Sequence, residues 1–218
     1  MAYQIKSTVE DAELIEKRRA QIVAAATRLF ASQGYFRTTI KDIAGLAGIS
    51  QGGIYQYVSE KEDVLLLVLF DVLDTYAREV PVAIDGIADP LERCIAAVRT
   101  YCRVVDRRRK ATVLAYRSTQ SLSETRRALV QARELETNRI VSSIIEDCMR
   151  AGYIRPVNVD VLTYQLVMMA HTWALKYWYF KTQFTVETYL KHFIDIAFYG
   201  ALTDEGSEKW QKLRDEVL

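Results

Sequence analysis

The sequence has few of the residues that break regular structure: three prolines and nine glycines along 218 residues. A strand-rich fold would need far more turn residues, so the expectation is an all-α chain. Long apolar runs are also missing. The longest obvious one, Val64 to Phe70, falls well short of the roughly 18 residues a membrane span requires. The first residues, Met1 to Arg19, mix charges of both signs and contain no apolar stretch, which argues against a secretory or transit peptide and for a cytoplasmic protein. Cys94, Cys102 and Cys148 are odd in number, have no C-x-x-C spacing and no neighbouring histidines. They read as buried thiols packing as small hydrophobes, rather than as a disulfide framework, a zinc site or a redox sensor. His171 and His192 are the only two histidines, and there is no glycine-rich phosphate loop, metal-spaced cluster or G-x-S-x-G motif. An enzyme is therefore not expected, nor a metal or a resident cofactor.

What is present is apolar material in helical spacing. Half the chain is hydrophobic, enough for a small module plus a larger helical body. Ile22, Ala25, Ala26, Leu29 and Phe30 recur at helical intervals over 17–33, with Gly34 as the stop. Thr39 is placed to cap a second helix carrying Ile40, Ile43, Ala44 and Leu46, which ends near Gly48. Ser50 caps a short segment, QGGIYQY, and Ser59 opens a long helix from Glu60 to about Glu79 that Pro81 closes. Further helices are expected at 89–105, 110–120, 122–151, 158–181 and 185–202, followed by a polar stretch from Asp204 that either forms a short helix around Trp210 or frays. Gly152 and Asn158 mark a stop and a cap on either side of Pro156.

Charge is segregated along this pattern. The net charge is only +1, yet Lys17 to Lys61 holds seven basic residues against Asp42 and Glu60, a local balance of 7 − 2 = +5. That is the footprint of a phosphate-binding surface confined to one stretch. Within it, 39–57 has the parts of a helix-turn-helix: two short helices with small apolar residues where they cross (Ile43, Ala44, Ala47), a glycine at the turn (Gly48), and Ile49 beneath it.

The run Lys17-Arg18-Arg19, Ile22 to Phe30, Gly34-Tyr35, Thr38-Thr39-Ile40-Lys41-Asp42-Ile43-Ala44, Ala47-Gly48-Ile49-Ser50 and Gly52-x-Ile54-Tyr55-x-Tyr57-Val58-x-x-Lys61-Glu62 resembles the DNA-binding domain of the TetR (tetracycline-repressor-like) family without a gap. The resemblance implies an N-terminal three-helix helix-turn-helix DNA-binding domain at 17–62, after a mobile segment at 1–16. A C-terminal helical ligand-binding and dimerisation domain follows at 63–218. It also implies DNA contacts. Thr39 matches a phosphate-binding cap, Tyr55 and Tyr57 match aromatic positions beside the sugar-phosphate backbone, and Lys61 matches a phosphate-binding lysine. Gln51 and Gln56 are the candidates for base edges, since an amide pairs bidentately with adenine. Lys41, Ser50, Gly52 and Gly53 complete the candidate face. Two adjacent helical glycines cost roughly 1 kcal/mol each against alanine, so either close approach to the groove or a soft helix that orders on DNA must account for them. Gly53 departs from the threonine, serine or alanine more usual there. Packing remains an alternative for both tyrosines, as does a solvated surface position for Lys61. Lys17, Arg18 and Arg19 form either a DNA-contacting arm or a solvated run.

The C-terminal part is less specific. The resemblance implies that 158–181 and 185–202 pair with those of a second subunit, with Leu166, Met169, Phe193, Ile194 and Ala197 as the dimer interface. Gly152-Tyr153-Ile154-Arg155-Pro156 and the aromatic run His171 to Phe180 are similar to regulators of fatty-acid and acyl-CoA metabolism within the family. An acyl-CoA effector is thereby implied, with Tyr116, His171, Trp173, Tyr177 and Trp178 as candidate contacts and Arg107-Arg108-Arg109-Lys110 as either a CoA-phosphate site or a solvated loop. The partners expected are double-stranded operator DNA, a second copy of the chain and a small-molecule effector, with no membrane. The function expected is a repressor released by its effector; the alternative is a helical small-molecule binding protein with a vestigial DNA module.

Overall fold

The computed structural model describes residues 5–217, with side chains to 214, and these are helical almost throughout. In chain order the helices are α1 (Ala12–Gln33), α2 (Ile40–Ala47), α3 (Gln51–Ile54), α4 (Lys61–Ile84), α5 (Pro90–Arg107), α6 (Arg109–Ser118), α7 (Glu124–Arg150), α8 (Val159–Leu175), α9 (Tyr177–Phe180), α10 (Val186–Tyr199) and α11 (Asp204–Val217). No strand occurs among the described residues; Ile154 and Leu202 form an isolated bridge. No helix among them is long and apolar enough to cross a membrane.

Most ends fall where local chemistry places them. Asp11, Thr39, Ser50, Asp89, Asn158 and Thr185 each accept a backbone N–H of the following first turn. Gly34, Gly48 and Gly152 have positive φ at their helix ends.

Four expectations need correction. Pro81 does not close α4 but sits inside it, one turn before the end at Ile84. The expected helix 158–181 breaks at Lys176, leaving α9 as a separate turn. The stretch from Asp204 is a full helix, because Trp210 donates to Asp195 at 3.3 Å, Arg214 pairs with Asp195 at 2.8 Å, and Lys209 pairs with Asp89. Finally, the segment 1–16, expected to be mobile, makes specific contacts over its described part; its residues 1–4 lie outside the described residues. Ser7 Oγ and the Thr8 N–H both donate to the Gln56 carbonyl, at 2.8 and 3.0 Å, and α1 begins at Ala12.

Packing divides the chain into two compact units. One unit takes residues up to 73 together with 110–133; the other takes 74–109 and 134–218. The first thus joins α1 to α3 and the first half of α4 with nearly all of α6 and the beginning of α7. Its core includes Ile22, Ala26, Phe30, Ile43, Ala44, Ile54 and Val58, all at most 2 % exposed. In the second unit α5, α8, α10 and α11 pack together around Leu91, Ile95, Val105, Leu166, Phe193, Ile194 and Phe198. Cys94, Cys102 and Cys148 are buried free thiols. A hydrogen bond with the Cys148 thiol, together with burial, raises the Cys94 pKa, and burial alone raises that of Cys102, which keeps both protonated and unreactive.

Candidate nucleic-acid interface

The candidate interface is built on α2 and α3. Thr39 Oγ1 accepts the Asp42 N–H at 3.1 Å, while Asp42 Oδ2 accepts the Thr39 N–H at 2.9 Å, a reciprocal capping box. These bonds to Thr39 hold the Asp42 carboxyl below its ordinary pKa. Gly48 then turns the chain with φ 68°, a left-handed conformation a side chain would strain. Ser50 Oγ accepts the Gly53 N–H at 3.0 Å and starts α3.

That last bond explains the departure at Gly53. A Cβ there would lie 2.8 Å from Ser50 Oγ and 3.3 Å from Ile49, so the missing side chain makes room for the cap. At Gly52 a Cβ would meet nothing within 4 Å, so the backbone there is open to a partner. The helix itself is shorter than expected, a single turn over Gln51–Ile54 with Tyr55 to Tyr57 continuing as a turn. Two glycines in four residues give it little intrinsic helical preference.

Exposure sorts the candidates. Thr39, Lys41, Ser50, Gln51, Gly52, Tyr55 and Gln56 are exposed on one module whose inner side is Ile43, Ala44 and Ile54. Tyr57 is not among them: it is 5 % exposed and packs in the core. Lys61 is also turned to an internal task. Its ammonium donates to the carbonyls of Tyr35 and Thr38 at 3.1 Å and of Phe36 at 3.4 Å, and lies 4.5 Å from the Tyr35 ring centroid. An ammonium has three N–H donors, and these carbonyls use them. Arg19 likewise donates to the Tyr57 carbonyl at 3.0 and 3.1 Å and to the Ile5 carbonyl at 2.7 Å, so it joins the N-terminal segment to the end of the helix-turn-helix instead of projecting as an arm.

Two features escaped the sequence reading. Phe36, 80 % exposed, and the exposed Arg37 stand in the connection before Thr39. An aromatic in a polar connection was the available signal. The second is Arg126, near the start of α7. It donates to Asp63 Oδ1 at 2.8 and 3.2 Å, Glu62 at 3.2 Å and Glu60 at 2.6 Å. Asp63 is 1 % exposed and also accepts the Ser59 N–H at 2.9 Å, so one carboxylate both caps α4 and receives the guanidinium. No local pattern announces a bond across 63 residues of chain.

The candidate effector contacts do not converge on one site. Trp173 is 3 % exposed, with its indole N–H on Asp106 at 2.7 Å, and belongs to an aromatic core with Tyr177, Phe180 and Tyr189. Trp178 is 69 % exposed. Tyr116 is 45 % exposed and belongs to the first unit. His171 faces inward, its Nε2 3.3 Å from the Tyr101 hydroxyl, and burial lowers its pKa to about 4, leaving it neutral at pH 7. In the basic run, Arg107 pairs with Glu79, Arg108 donates to Thr75 at 3.4 Å, and Arg109 pairs with Asp106 and lies over Tyr177. Only Lys110 of the four is exposed without a described pairing of this kind.

The expected dimer residues also separate. Leu166, Phe193 and Ile194 are at most 2 % exposed and face their own unit's core, leaving no surface for a partner to cover. Met169 and Ala197 instead line a surface groove of about 410 Å³ with Val161, Leu162, Gln165 and Ile196. The outward apolar positions of α8 and α10 are Val161, Tyr164, Met168, Ile196 and Tyr199, from 40 to 93 % exposed. The candidates straddle both sides of each helix, and α8 is apolar nearly all round.

A basic, open helix-turn-helix face, braced from behind and carried by a helical protein, defines the class as a DNA-binding regulator. Residues 22–68 match the family model for bacterial regulatory proteins, tetR family, and residues 88–201 match that for the tetracyclin repressor-like C-terminal domain. The chain is 47 % identical over 212 residues to the HTH-type transcriptional regulator HbdR of Aromatoleum sp. (strain CIB), covering 97 % of this chain and 93 % of that one. It is 27 % identical over 167 residues to the HTH-type transcriptional repressor KstR2 of Mycobacterium tuberculosis (strain ATCC 25618 / H37Rv), covering 76 and 82 %. Among solved structures it resembles AibR in complex with isovaleryl coenzyme A and operator DNA, with TM-score 0.72, 24 % identity, and coverage of 83 % of this chain and 98 % of that one. The chain belongs to the tetR family of bacterial regulatory proteins, and its function is transcriptional regulation through DNA.

Proposed function

We propose that this regulator is a cytoplasmic repressor that binds a palindromic operator as a homodimer and is released by an acyl-CoA effector. The observation that carries the DNA reading is the set Thr39, Lys41, Ser50, Gln51, Gly52, Tyr55 and Gln56, exposed together on a module whose reverse side is core. Thr39, Lys41 and Tyr55 are assigned to phosphates and sugars, Gln51 and Gln56 to base edges, and Gly52 to close approach. Arg37 joins the phosphate set. Tyr57 and Lys61 position this surface rather than touch DNA.

Two-fold symmetry supports the dimer, because two recognition elements must reach major grooves about 34 to 36 Å apart. The outward apolar row of α8 and α10 offers an apolar surface for a second copy to cover. The acyl-CoA class is supported by the AibR complex with isovaleryl coenzyme A. Effector binding disfavours the DNA-bound arrangement by the 1 to 3 kcal/mol usual for allosteric coupling, roughly a 5- to 150-fold loss of affinity.

The test is a fluorescence-anisotropy titration of labelled DNA from the gene's own upstream region, at two salt concentrations, with and without acyl-CoA esters. Tight, salt-sensitive binding that one ester releases is expected. Gln56→Ala should relax sequence preference at constant salt slope, whereas Lys41→Ala should weaken all sequences alike and lower that slope by about one. Binding indifferent to every ester would remove the acyl-CoA effector, and no binding to any upstream fragment would favour a ligand-binding protein with a vestigial DNA module.

A further inference from the structure

The recognition element has a weak hold on its own geometry at its far end. α3 is one turn with two glycines, and Tyr55 to Tyr57 continue it as a turn that carries the exposed Gln56. Local bonds reach as far as the Ile54 carbonyl, which accepts the Tyr57 N–H at 3.0 Å and the Val58 N–H at 3.3 Å. The carbonyls of Gln56 and Tyr57 lie beyond it, where a helix end leaves its acceptors without a following turn to meet them.

Both are met by residues far away in sequence. The Gln56 carbonyl accepts the Ser7 hydroxyl at 2.8 Å and the Thr8 N–H at 3.0 Å, one donor for each of its two lone pairs. The Tyr57 carbonyl accepts Nε and Nη2 of Arg19, at 3.1 and 3.0 Å. The same Nη2 donates to the Ile5 carbonyl at 2.7 Å, so one guanidinium ties the segment before α1 to the end of the recognition element. Ser7 Oγ also accepts the Val9 N–H at 3.1 Å, a local turn that orients the hydroxyl for its bond to Gln56. Ile5, Ser7 and Val9 are half-buried while Lys6, Thr8 and Glu10 are exposed, the alternation of an extended chain lying along a surface.

We infer that residues 5–8 are a strap that fixes the Gln56 end of the recognition element, with Arg19 as its anchor, so that Ser7 and Thr8 are positioning residues for base recognition by Gln56. The inference deepens the assignment of Gln56 to base edges and rests on it. An amide singles out adenine by making two bonds at once, which demands a fixed backbone behind it. A turn already ordered in the free protein loses no further conformational entropy when DNA arrives, whereas a frayed one does. Ser50 holds the first turn of α3 through the Gly53 N–H at 3.0 Å, and the strap does the corresponding work at the other end. Ser7 and Thr8 bond to backbone alone, so their effect on sequence preference passes through the placement of Gln56.

The experiment measures binding of the full chain to its labelled upstream DNA and to versions carrying single base-pair changes. Gln56→Ala first identifies the base pair at which discrimination depends on the amide. At that base pair Ser7→Ala should reduce discrimination about three- to tenfold, the range for one net hydrogen bond, and Ser7→Thr, which keeps the hydroxyl, should retain it. Thr8→Pro removes the other donor and should act in the same direction by an independent route. Neither should change the salt slope, and in the Gln56→Ala background neither should have a further effect at that base pair. Discrimination equal to that of the unaltered protein in both Ser7→Ala and Thr8→Pro overturns the inference while the Gln56 assignment stands. So does a loss shared by all sequences with a salt slope lower by about one, the result expected if the segment itself touches a phosphate. If Gln56→Ala relaxes preference at no base pair, the base-edge assignment and this inference fall together.

Discussion

In the first unit, side chains clasp backbone carbonyls and carboxylates. Arg19 holds the Tyr57 and Ile5 carbonyls, Lys61 holds those of Tyr35, Phe36 and Thr38, and Arg126 holds three acidic side chains at the start of α4. In the second unit, rings and aliphatic side chains fill the interior: Trp173, Phe180, Tyr189 and Phe193 form one run, and Tyr76 stacks on Tyr101. The difference follows from size and task. A one-turn recognition element has too little surface of its own to fix its angle by burial, so directional charge-assisted bonds do it. The second unit also has such bonds, among them Arg93–Asp147, Arg214–Asp195 and Trp173 on Asp106, but there they lie around an interior sealed by rings.

Substitutions at corresponding points test this contrast. The largest effect is expected at Phe193, 2 % exposed, where alanine should cost about 4 kcal/mol in urea unfolding through lost burial and a cavity. If the effect were below about 1 kcal/mol, the second unit would not depend on this packing. Arg126→Met should cost about 3 kcal/mol, because it strands the buried Asp63 carboxylate. Asp63→Asn in the same protein should restore most of the loss, since the amide oxygen still caps Ser59. Failure of the double variant to recover would show that Arg126 acts through packing instead of charge.

His171 sharpens the comparison through pH. Its folded pKa is lowered to about 4 from 6.5 by burial, so the unfolded chain takes up the proton first. The stability this contributes is complete above pH 6.5 and is lost as pH falls towards 4, with a slope of up to about 1.4 kcal/mol per pH unit. The difference between the unaltered protein and His171→Gln across pH 4 to 7 should show that slope; parallel profiles would mean that the imidazole is solvated. The smallest effect belongs to Ser50→Ala, about 1 kcal/mol from the lost cap on α3, measured by thermal unfolding and accompanied by weaker operator binding. Normal operator affinity in that variant would mean that α3 orders on DNA without its cap.

The candidate DNA-binding surface was legible as a structural element because its signals are local. Thr39 and Ser50 announce caps, Gly48 announces a turn, and Lys41, Gln51 and Gln56 fall on polar positions of a short pattern. Tyr57 and Lys61 were harder, since residue type alone does not say whether a tyrosine packs or a lysine reaches out. The division into units was illegible. Arg126 and the acidic cluster of α4 are far apart in sequence, and each alone reads as solvated charge on a helix. On α8 the periodicity identified a helix but not its outward side, because apolar residues surround it.

The sequence by itself determined the helical class, most helix ends, the helix-turn-helix and the family, all of which rest on interactions within a few residues or on a contiguous motif. Only the tertiary structure decided that Lys61 and Arg19 brace the module, that Leu166, Phe193 and Ile194 face the core, and that the Tyr101 hydroxyl meets His171. Those outcomes depend on which distant helices meet and in what register. Burial and pairing are properties of that meeting, and no residue carries them in its own chemistry.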